Sequence, residues 1–238
     1  AEREDIIEDM ITHRCSFLID RALRGLALDF DEALSILRNH NNFTTERERQ
    51  QHEILVAAID NLIDFAAAEE MTMISELPEE VDEECLLDYE TICEQYNLTY
   101  AEAENEQVLF AAKMAAWWMA VNAESVITYM TQGDERVRPW HLSLEGVSYR
   151  KSEFPAELIP PIEWGCRCYL IANGFAGVRA SLSIDKCRSM VDPVFRESLA
   201  TGGRIFTDAH RYFATQLPEF VKRIVKRLKS KFYEQDND

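Results

Sequence analysis

Two cysteines separated by one residue, Cys166 and Cys168, give the sequence its clearest chemical signal. Residues two apart on an extended strand point to the same face, with Cα atoms about 6.6 Å apart. This spacing is poor for a mutual disulfide but suits two thiols directed at one centre. With His141, Glu163 and Asp134 as possible nitrogen and oxygen donors, the thiols could hold zinc. No cofactor is certain, and Zn is the candidate, with His141, Glu163, Cys166 and Cys168 as predicted ligands.

Two other chemistries fit the same residues. The thiols could simply be buried while Asp134, Arg136 and Arg138 pair with one another and with backbone carbonyl groups, as a structural knot. A hydrolase would instead use His141 with nearby carboxylates for acid–base catalysis, or with Cys166 as a nucleophile. The sequence contains no nucleophile elbow, glycine-rich phosphate loop or metalloprotease helix. We therefore expect a structural role without turnover.

Composition changes near residue 130. The 238-residue chain has a net charge of -18, and residues 1–130 hold 8 basic and 29 acidic side chains, against 17 and 14 in residues 131–238. Seven of the eight glycines and six of the seven prolines also follow residue 130. Because these shifts coincide, we predict a boundary near 128–134 and domains at 1–130 and 131–238.

Hydrophobic periodicity predicts an acidic helical bundle for residues 1–130. The first helical stretch is expected to break near Asp29. Thr45 and Glu48 have the spacing of a capping box and predict a helix through about Glu70. These signals are local, so each fixes one helix end rather than the packing of the bundle.

Two further helices complete the predicted bundle. Pro78 is typical of a first helical turn and leads into an acidic helix. Thr99 and Glu102 repeat the capping-box spacing and predict the longest helix, which would carry Trp117 and end near Met130.

Residues 131–238 predict a small Gly/Pro-rich mixed α/β domain. Short apolar pieces at 141–144, 147–149 and 168–172 are separated by Gly and Pro, as is typical of short strands and ordered loops. Pro218 opens a last amphipathic helix with one apolar face. The overall prediction is an α+β protein, mostly α.

The last helix has a basic face. This face could contact DNA, an anionic membrane or an acidic protein surface, or it could pack only against the acidic bundle of its own chain. The cations predicted for partner or DNA contact are Lys222, Arg223, Lys226, Arg227, Lys229 and Lys231. The acidic residues 1–130 should repel nucleic acid, so DNA contact is expected from the second part.

Nothing in the sequence predicts secretion or a membrane span. Residues 1–9 are acidic and lack an apolar stretch, and the most apolar run, 108–130, carries Lys113, Asn122 and Glu124. The six cysteines lack the spacing of a disulfide framework, which favours a reducing cytosol.

An ordered set of motifs within about residues 125–172 resembles the phage Mu F-like family of minor head proteins. The order is T-x-x-D-x-R-x-R-x-x-H, then L-x-G, P-P and C-R-C. The matching residues are Thr131, Asp134, Arg136, Arg138, His141, Leu144, Gly146, Pro160, Pro161, Cys166, Arg167 and Cys168. Some relatives place cysteines near the first motif and a histidine just before C-R-C. Here Arg138, His141 and Glu163 hold those places, and a guanidinium cannot be a metal ligand.

The resemblance implies a minor head protein that is present in few copies in the virion and acts in capsid assembly and in DNA packaging or ejection. It implies the portal protein and other head proteins as partners, with double-stranded DNA as a further candidate through the C-terminal helix. The implied location is the phage head, and the host cytoplasm during assembly. The alternative is a metal- or thiol-dependent hydrolase or toxin-associated protein active during infection.

Overall fold

The computed structural model describes residues 2–39, 42–79, 82–83, 85–172 and 184–234. Helices dominate, and one small antiparallel sheet accompanies them, which confirms the predicted α+β, mostly α class. The elements in chain order are α1 (Glu2–Leu26), α2 (Phe30–Leu37), α3 (Glu46–Glu76), α4 (Leu86–Glu94), α5 (Ala101–Ala120), β1 (Val126–Met130), α6 (Pro139–Leu142), β2 (Ser148–Arg150), β3 (Tyr169–Ala172), α7 (Ile184–Met190) and α8 (Glu219–Tyr233).

The break between α1 and α2 comes from two local devices. Ala27 has a left-handed φ of 57°, and the Leu28 N–H donates to the Leu23 carbonyl at 3.0 Å, which closes α1. Asp29 then caps α2, because its Oδ1 accepts the Glu32 N–H at 2.8 Å. The predicted break near Asp29 is confirmed.

The capping box at the start of α3 is also confirmed. Thr45 Oγ1 accepts the Glu48 N–H at 3.1 Å, and the Glu48 carboxylate accepts the Thr45 N–H at 3.2 Å. The helix continues past the predicted end at Glu70 to Glu76. It continues because Glu70 is buried and finds a cationic partner on α1 instead of marking a solvated helix end.

Pro78 and Thr99 do not begin helices, so these two predictions are wrong. Pro78 lies in the irregular connection after α3, and α4 begins only at Leu86. Thr99 lies inside a π-helical turn, Gln95–Tyr100, that joins α4 to α5 without a break. Thr99 is therefore helical itself, whereas a capping residue would need extended backbone.

The helix predicted to reach Met130 ends at Ala120, and Val126–Met130 forms the central strand of the sheet. The strand order is β2-β1-β3, and β1 is antiparallel to both neighbours. Of the three predicted strand pieces, the second and third overlap β2 and β3. The first is wrong, because His141 lies in the short helix α6.

The C-terminal segment packs on the helical bundle. Helix α8 follows Pro218 as predicted and lies against α1, α2 and α3. Its apolar stripe is buried and consists of Val221, Ile224, Val225 and Leu228. The buried apolar side chains form one core on both sides of residue 130, and the division into two domains there stays a prediction.

The segment between α7 and α8 is fixed to the middle of α3. The Asn61 amide on α3 donates to the Phe206 carbonyl at 2.8 Å and accepts the N–H groups of Ile205 and Phe206 at 2.9 and 3.0 Å. Phe65, one helical turn further on, stacks on Phe206 with ring centroids 4.3 Å apart. Trp164 stacks on the same ring at 5.6 Å, so Phe206 links α3 to the loop that precedes β3.

None of the helices within the described ranges is both long enough and apolar enough to cross a membrane.

Candidate metal centre

The fold brings one imidazole and two thiols together beneath the sheet. His141 comes from α6, and Cys166 and Cys168 come from the loop that leads into β3. One donor atom from each of the three lies within 4.8 Å of the others, and all three side chains are buried. His141 Nδ1 is 3.2 Å from Cys168 Sγ. Among the described residues, this is the group of three or more His, Cys, Asp or Glu side chains that lie close enough together to hold a metal ion.

A tight turn after α6 places His141 beside β1. Gly146 has a left-handed φ of 79°, which glycine adopts without the steric penalty of a side chain. Its N–H donates to the Tyr129 carbonyl at 2.8 Å, and the Tyr129 N–H donates to the Val147 carbonyl at 2.8 Å. The turn is thus hydrogen-bonded to the central strand. The loop on the other side of the site contains a cis peptide bond between Pro160 and Pro161.

The two thiols are electrostatically unequal. A hydrogen bond from Cys168, with a smaller one from His141, lowers the pKa of Cys166 to about 4, although burial acts in the opposite direction. The same hydrogen bond and burial raise the pKa of Cys168. One proton is therefore shared between the two sulfurs. A thiolate is the form of cysteine that binds metals or acts as a nucleophile.

Glu163 lies on the other side of the imidazole from the thiols. Its Oε1 is 3.6 Å from His141 Nε2, whereas Nδ1 faces Cys168. Trp140 Nε1 donates to Glu163 Oε2 at 3.0 Å, and the Arg138 guanidinium contacts the same carboxylate. The structure thus brings three of the four predicted ligands together and sets Glu163 behind the histidine. A carboxylate there orients the ring, as it does behind many metal-bound histidines.

Tyr129 is a further polar group at the site that the sequence did not reveal. Its side chain is fully buried on β1, and its hydroxyl lies against the thiols of Cys166 and Cys168. The hydroxyl has no oxygen or nitrogen partner among the described residues. Burial raises the pKa of Tyr129, so the phenol keeps its proton. Ile127 and Tyr129 are two residues apart and therefore lie on the same face of β1. A strand prediction for these residues would have placed Tyr129 in the core.

The other motif residues hold the surrounding loops together. Asp134 accepts two hydrogen bonds from the Arg167 guanidinium, at 2.6 and 2.8 Å, and Arg167 holds the pKa of that carboxyl below its usual range. Thr131 donates its N–H to the Glu145 carboxylate at 2.8 Å. Arg138 donates to the Trp164 carbonyl at 2.7 Å.

The pairing inside this knot differs from the sequence prediction. Asp134 forms its ion pair with Arg167, and from Arg136 it accepts a hydrogen bond of the backbone N–H but none of the side chain. Arg138 forms its ion pair with Glu163. The Arg136 side chain is exposed and makes no ion pair with the residues that the structure describes.

The basic helix α8 divides its cations between the bundle and solvent. Arg227 binds Glu8 on α1, and Lys229 binds Asp64 on α3 at 2.8 Å. Lys222 binds Glu219 within α8. The remaining side chains of the predicted contact set form no ion pair with a described residue and are exposed; they are Arg223, Lys226 and Lys231.

A buried charged network within the bundle was missed by the sequence reasoning. Arg14 on α1 binds Glu70 at 2.7 Å and Glu69 at 3.1 Å on α3. Glu104 on α5 accepts a hydrogen bond from the Tyr212 hydroxyl at 2.9 Å. A signal was present, because Glu69 and Glu70 interrupt the apolar run 65–74.

Comparison with known proteins supports the motif resemblance. Residues 68–171 match the family described as Phage Mu protein F like protein, which confirms the resemblance. The matched range includes the residues of the candidate metal centre. An uncharacterised protein of Methanocaldococcus jannaschii, MJ0329, is 50% identical over 42 residues, which is 18% of this chain and 7% of that protein. No solved structure matches the chain.

Proposed function

We propose, from the membership of residues 68–171 in the phage Mu protein F like family, that this protein is a minor head protein of a phage. It would act in capsid assembly and in DNA packaging or ejection by binding the portal protein. The observation that carries the proposal is the coincidence of the family match with the knot around residues 131–168. Within that knot the Asp134–Arg167 pair, the Thr131–Glu145 hydrogen bond and the Arg138–Trp164 hydrogen bond hold loops in place, which suits a protein that works as a stable binding partner.

Two surfaces are candidates for partner contact. Residues 1–130 carry 29 acidic against 8 basic side chains, so the bundle presents an acidic surface that would suit basic patches of portal or scaffold proteins. The outward face of α8 carries Lys222, Arg223 and Lys226, which are exposed. We assign this face to the portal, with double-stranded DNA as the second candidate, since phosphate contacts need only accessible cations.

The structure sharpens the choice of cations for a test. Arg227 and Lys229 bind α1 and α3, so reversing their charge would disturb the docking of α8 as well as any external contact. Charge reversal of Lys222, Arg223 and Lys226 instead changes only the outward face. The matched control reverses three exposed cations of the bundle, Arg3, Arg47 and Lys113, and alters the net charge by the same amount.

The experiment is co-expression with the portal subunit of the same phage, followed by size-exclusion chromatography with mass determination. We expect co-elution in a complex with less than one copy of this protein per portal chain. The outward-face variant should weaken that complex and the bundle control should not. Separate elution at several salt concentrations would refute portal binding. The outward-face variant could instead keep portal binding and lose DNA binding, with the slope of log K against log salt concentration reduced in magnitude by about 3. In that case the outward face of α8 binds DNA.

A further inference from the structure

We propose that His141, Cys166 and Cys168 bind one zinc ion, with the Tyr129 hydroxyl as the fourth polar group at the ion. The site would stabilise the sheet and the loops around it, and it does not rest on the proposed role in the phage head. The ligands would be His141 Nδ1 and the two sulfur atoms. Binding requires both cysteines as thiolates, so it releases the proton that the two sulfurs share in the metal-free protein.

The distances fit a tetrahedral zinc site after small adjustments. Bonds of about 2.3 Å to sulfur and about 2.0 Å to nitrogen place tetrahedral ligands about 3.5–3.8 Å apart. The three donor atoms lie within 4.8 Å of one another, and His141 Nδ1 and Cys168 Sγ are 3.2 Å apart. The donor atoms therefore need to approach one another by no more than about 1 Å. Nitrogen and sulfur donors together are the set that zinc prefers.

The imidazole is oriented for this role. Nδ1 faces the thiols, and Nε2 is buried without a hydrogen-bond partner within reach, while the Glu163 carboxylate lies 3.6 Å from it. A metal on Nδ1 fixes the proton on Nε2, which can then donate to Glu163. Trp140 and Arg138 already hold that carboxylate in place.

The Tyr129 hydroxyl is an unsatisfied buried group that points to an ion. It is fully buried, lacks an oxygen or nitrogen partner among the described residues and lies against both sulfurs. A metal centre there gives the hydroxyl a strong polar partner. The unsatisfied hydroxyl from β1 and the His141 imidazole from α6 thus converge on one pair of thiols.

The ion also has a route of entry. Cys166 lines a surface cavity of about 860 Å³ together with Arg136, Arg138 and Arg167. Cys166 itself is only 4% exposed, so the ion would be shielded once bound.

The test measures metal content and affinity in the full chain. Protein produced with zinc should contain one Zn²⁺ per chain, and chelation should lower its melting temperature. Tyr129→Phe and Glu163→Gln should each weaken zinc affinity about 10- to 100-fold while the protein remains folded. Cys166→Ser with Cys168→Ser should abolish binding. The matched controls are Cys15→Ser and Tyr96→Phe, two buried residues of the helical bundle, and both should leave affinity unchanged.

Cobalt substitution separates the parts of the proposal. Co²⁺-loaded protein should show thiolate charge-transfer absorption, and added imidazole should alter the spectrum only in Tyr129→Phe, where the fourth position is open. A wild-type spectrum that changes with imidazole would overturn the assignment of Tyr129. Protein that takes up neither Zn²⁺ nor Co²⁺ under reducing conditions would overturn the metal site. Neither result would alter portal binding, so failure here is distinguishable from failure of the proposed function.

Discussion

The buried guanidinium of Arg14 should be the most sensitive single charge in the bundle. Its side chain is 7% exposed and binds Glu69 and Glu70, whose side chains are 0% and 4% exposed. It also donates to the Tyr96 carbonyl at 3.2 Å and the Asn97 side chain at 2.8 Å. Arg14→Leu would leave two buried carboxyl groups without their cationic partner.

Breaking such a pair from one side costs about 3–5 kcal/mol, because an uncompensated charge stays buried. For a chain of this length, the melting temperature falls by about 2–4 °C per kcal/mol, so we expect a fall of about 6–20 °C. The assay is urea unfolding followed by circular dichroism, with thermal melting beside it.

The control lies on the same helix. Arg24 binds Asp20 with side chains 63% and 47% exposed, and such a pair contributes no more than about 1 kcal/mol. Arg24→Leu should therefore be nearly neutral. Adding Glu69→Gln and Glu70→Gln to Arg14→Leu should recover much of the loss, since neither carboxyl partner of Arg14 is then present. Equal effects of Arg14→Leu and Arg24→Leu would show that burial does not set the cost of breaking these ion pairs.

Further predictions concern titration and close packing. Burial and a neighbouring carboxylate raise the pKa of Glu69 well above 4.5, so its stabilisation is full below pH 4.5 and is lost as pH rises through the raised pKa. Urea unfolding of Glu69→Gln should lack that loss. Burial lowers the pKa of His210 from 6.5 to about 4, so its contribution to the free energy of unfolding, about 3 kcal/mol above pH 6.5, should be lost as the pH falls toward 4. His210→Asn keeps an acceptor that can cap the following turn, and it should remove this acid sensitivity. The same loss of unfolding free energy between pH 6.5 and 4 in the variant would contradict the prediction. Gly25→Ala would place a methyl group inside contact distance of Ala112 and should cost about 1–3 kcal/mol. Ala27→Gly relieves a left-handed alanine and should stabilise by up to about 1 kcal/mol, measured by the same unfolding.

Local signals in the sequence were reliable where nothing distant competed with them. The caps at Asp29 and Thr45 and the apolar stripe of α8 needed only neighbouring residues, and the structure has each of them. Thr99 had the same local signal, yet α4 and α5 run through it as one continuous helical path. A capping preference is worth about 1 kcal/mol, which continued helical hydrogen bonding and packing can exceed.

The strand β1 could not be predicted from its own residues. Its sequence extends an apolar run that begins in α5, and its partners β2 and β3 lie about 20 and 40 residues further along the chain. The polar site had the same difficulty. The C-x-C spacing suggested a shared centre, but the positions of Tyr129 and Glu163 around it depend on strand pairing and on α6.

Buried charge was the third feature that pattern reasoning missed. Acidic residues on a helix usually lie on its solvated face. The residue type alone therefore did not predict that Glu69, Glu70 and Glu104 are buried. Their position within apolar runs was the available signal. Only the structure shows that these carboxyl groups are buried and that Arg14 and Tyr212 are their partners.

A role in the phage head is tested most directly by quantitative mass spectrometry of purified phage particles, with peptides from this protein counted against the portal and the major capsid protein. We expect the protein to be retained through particle purification in fewer copies than the portal subunit. We also expect the outward-face variant of α8 to be depleted from particles while the bundle control is retained. Particles that are complete and infectious without any of this protein would contradict a role in the phage head.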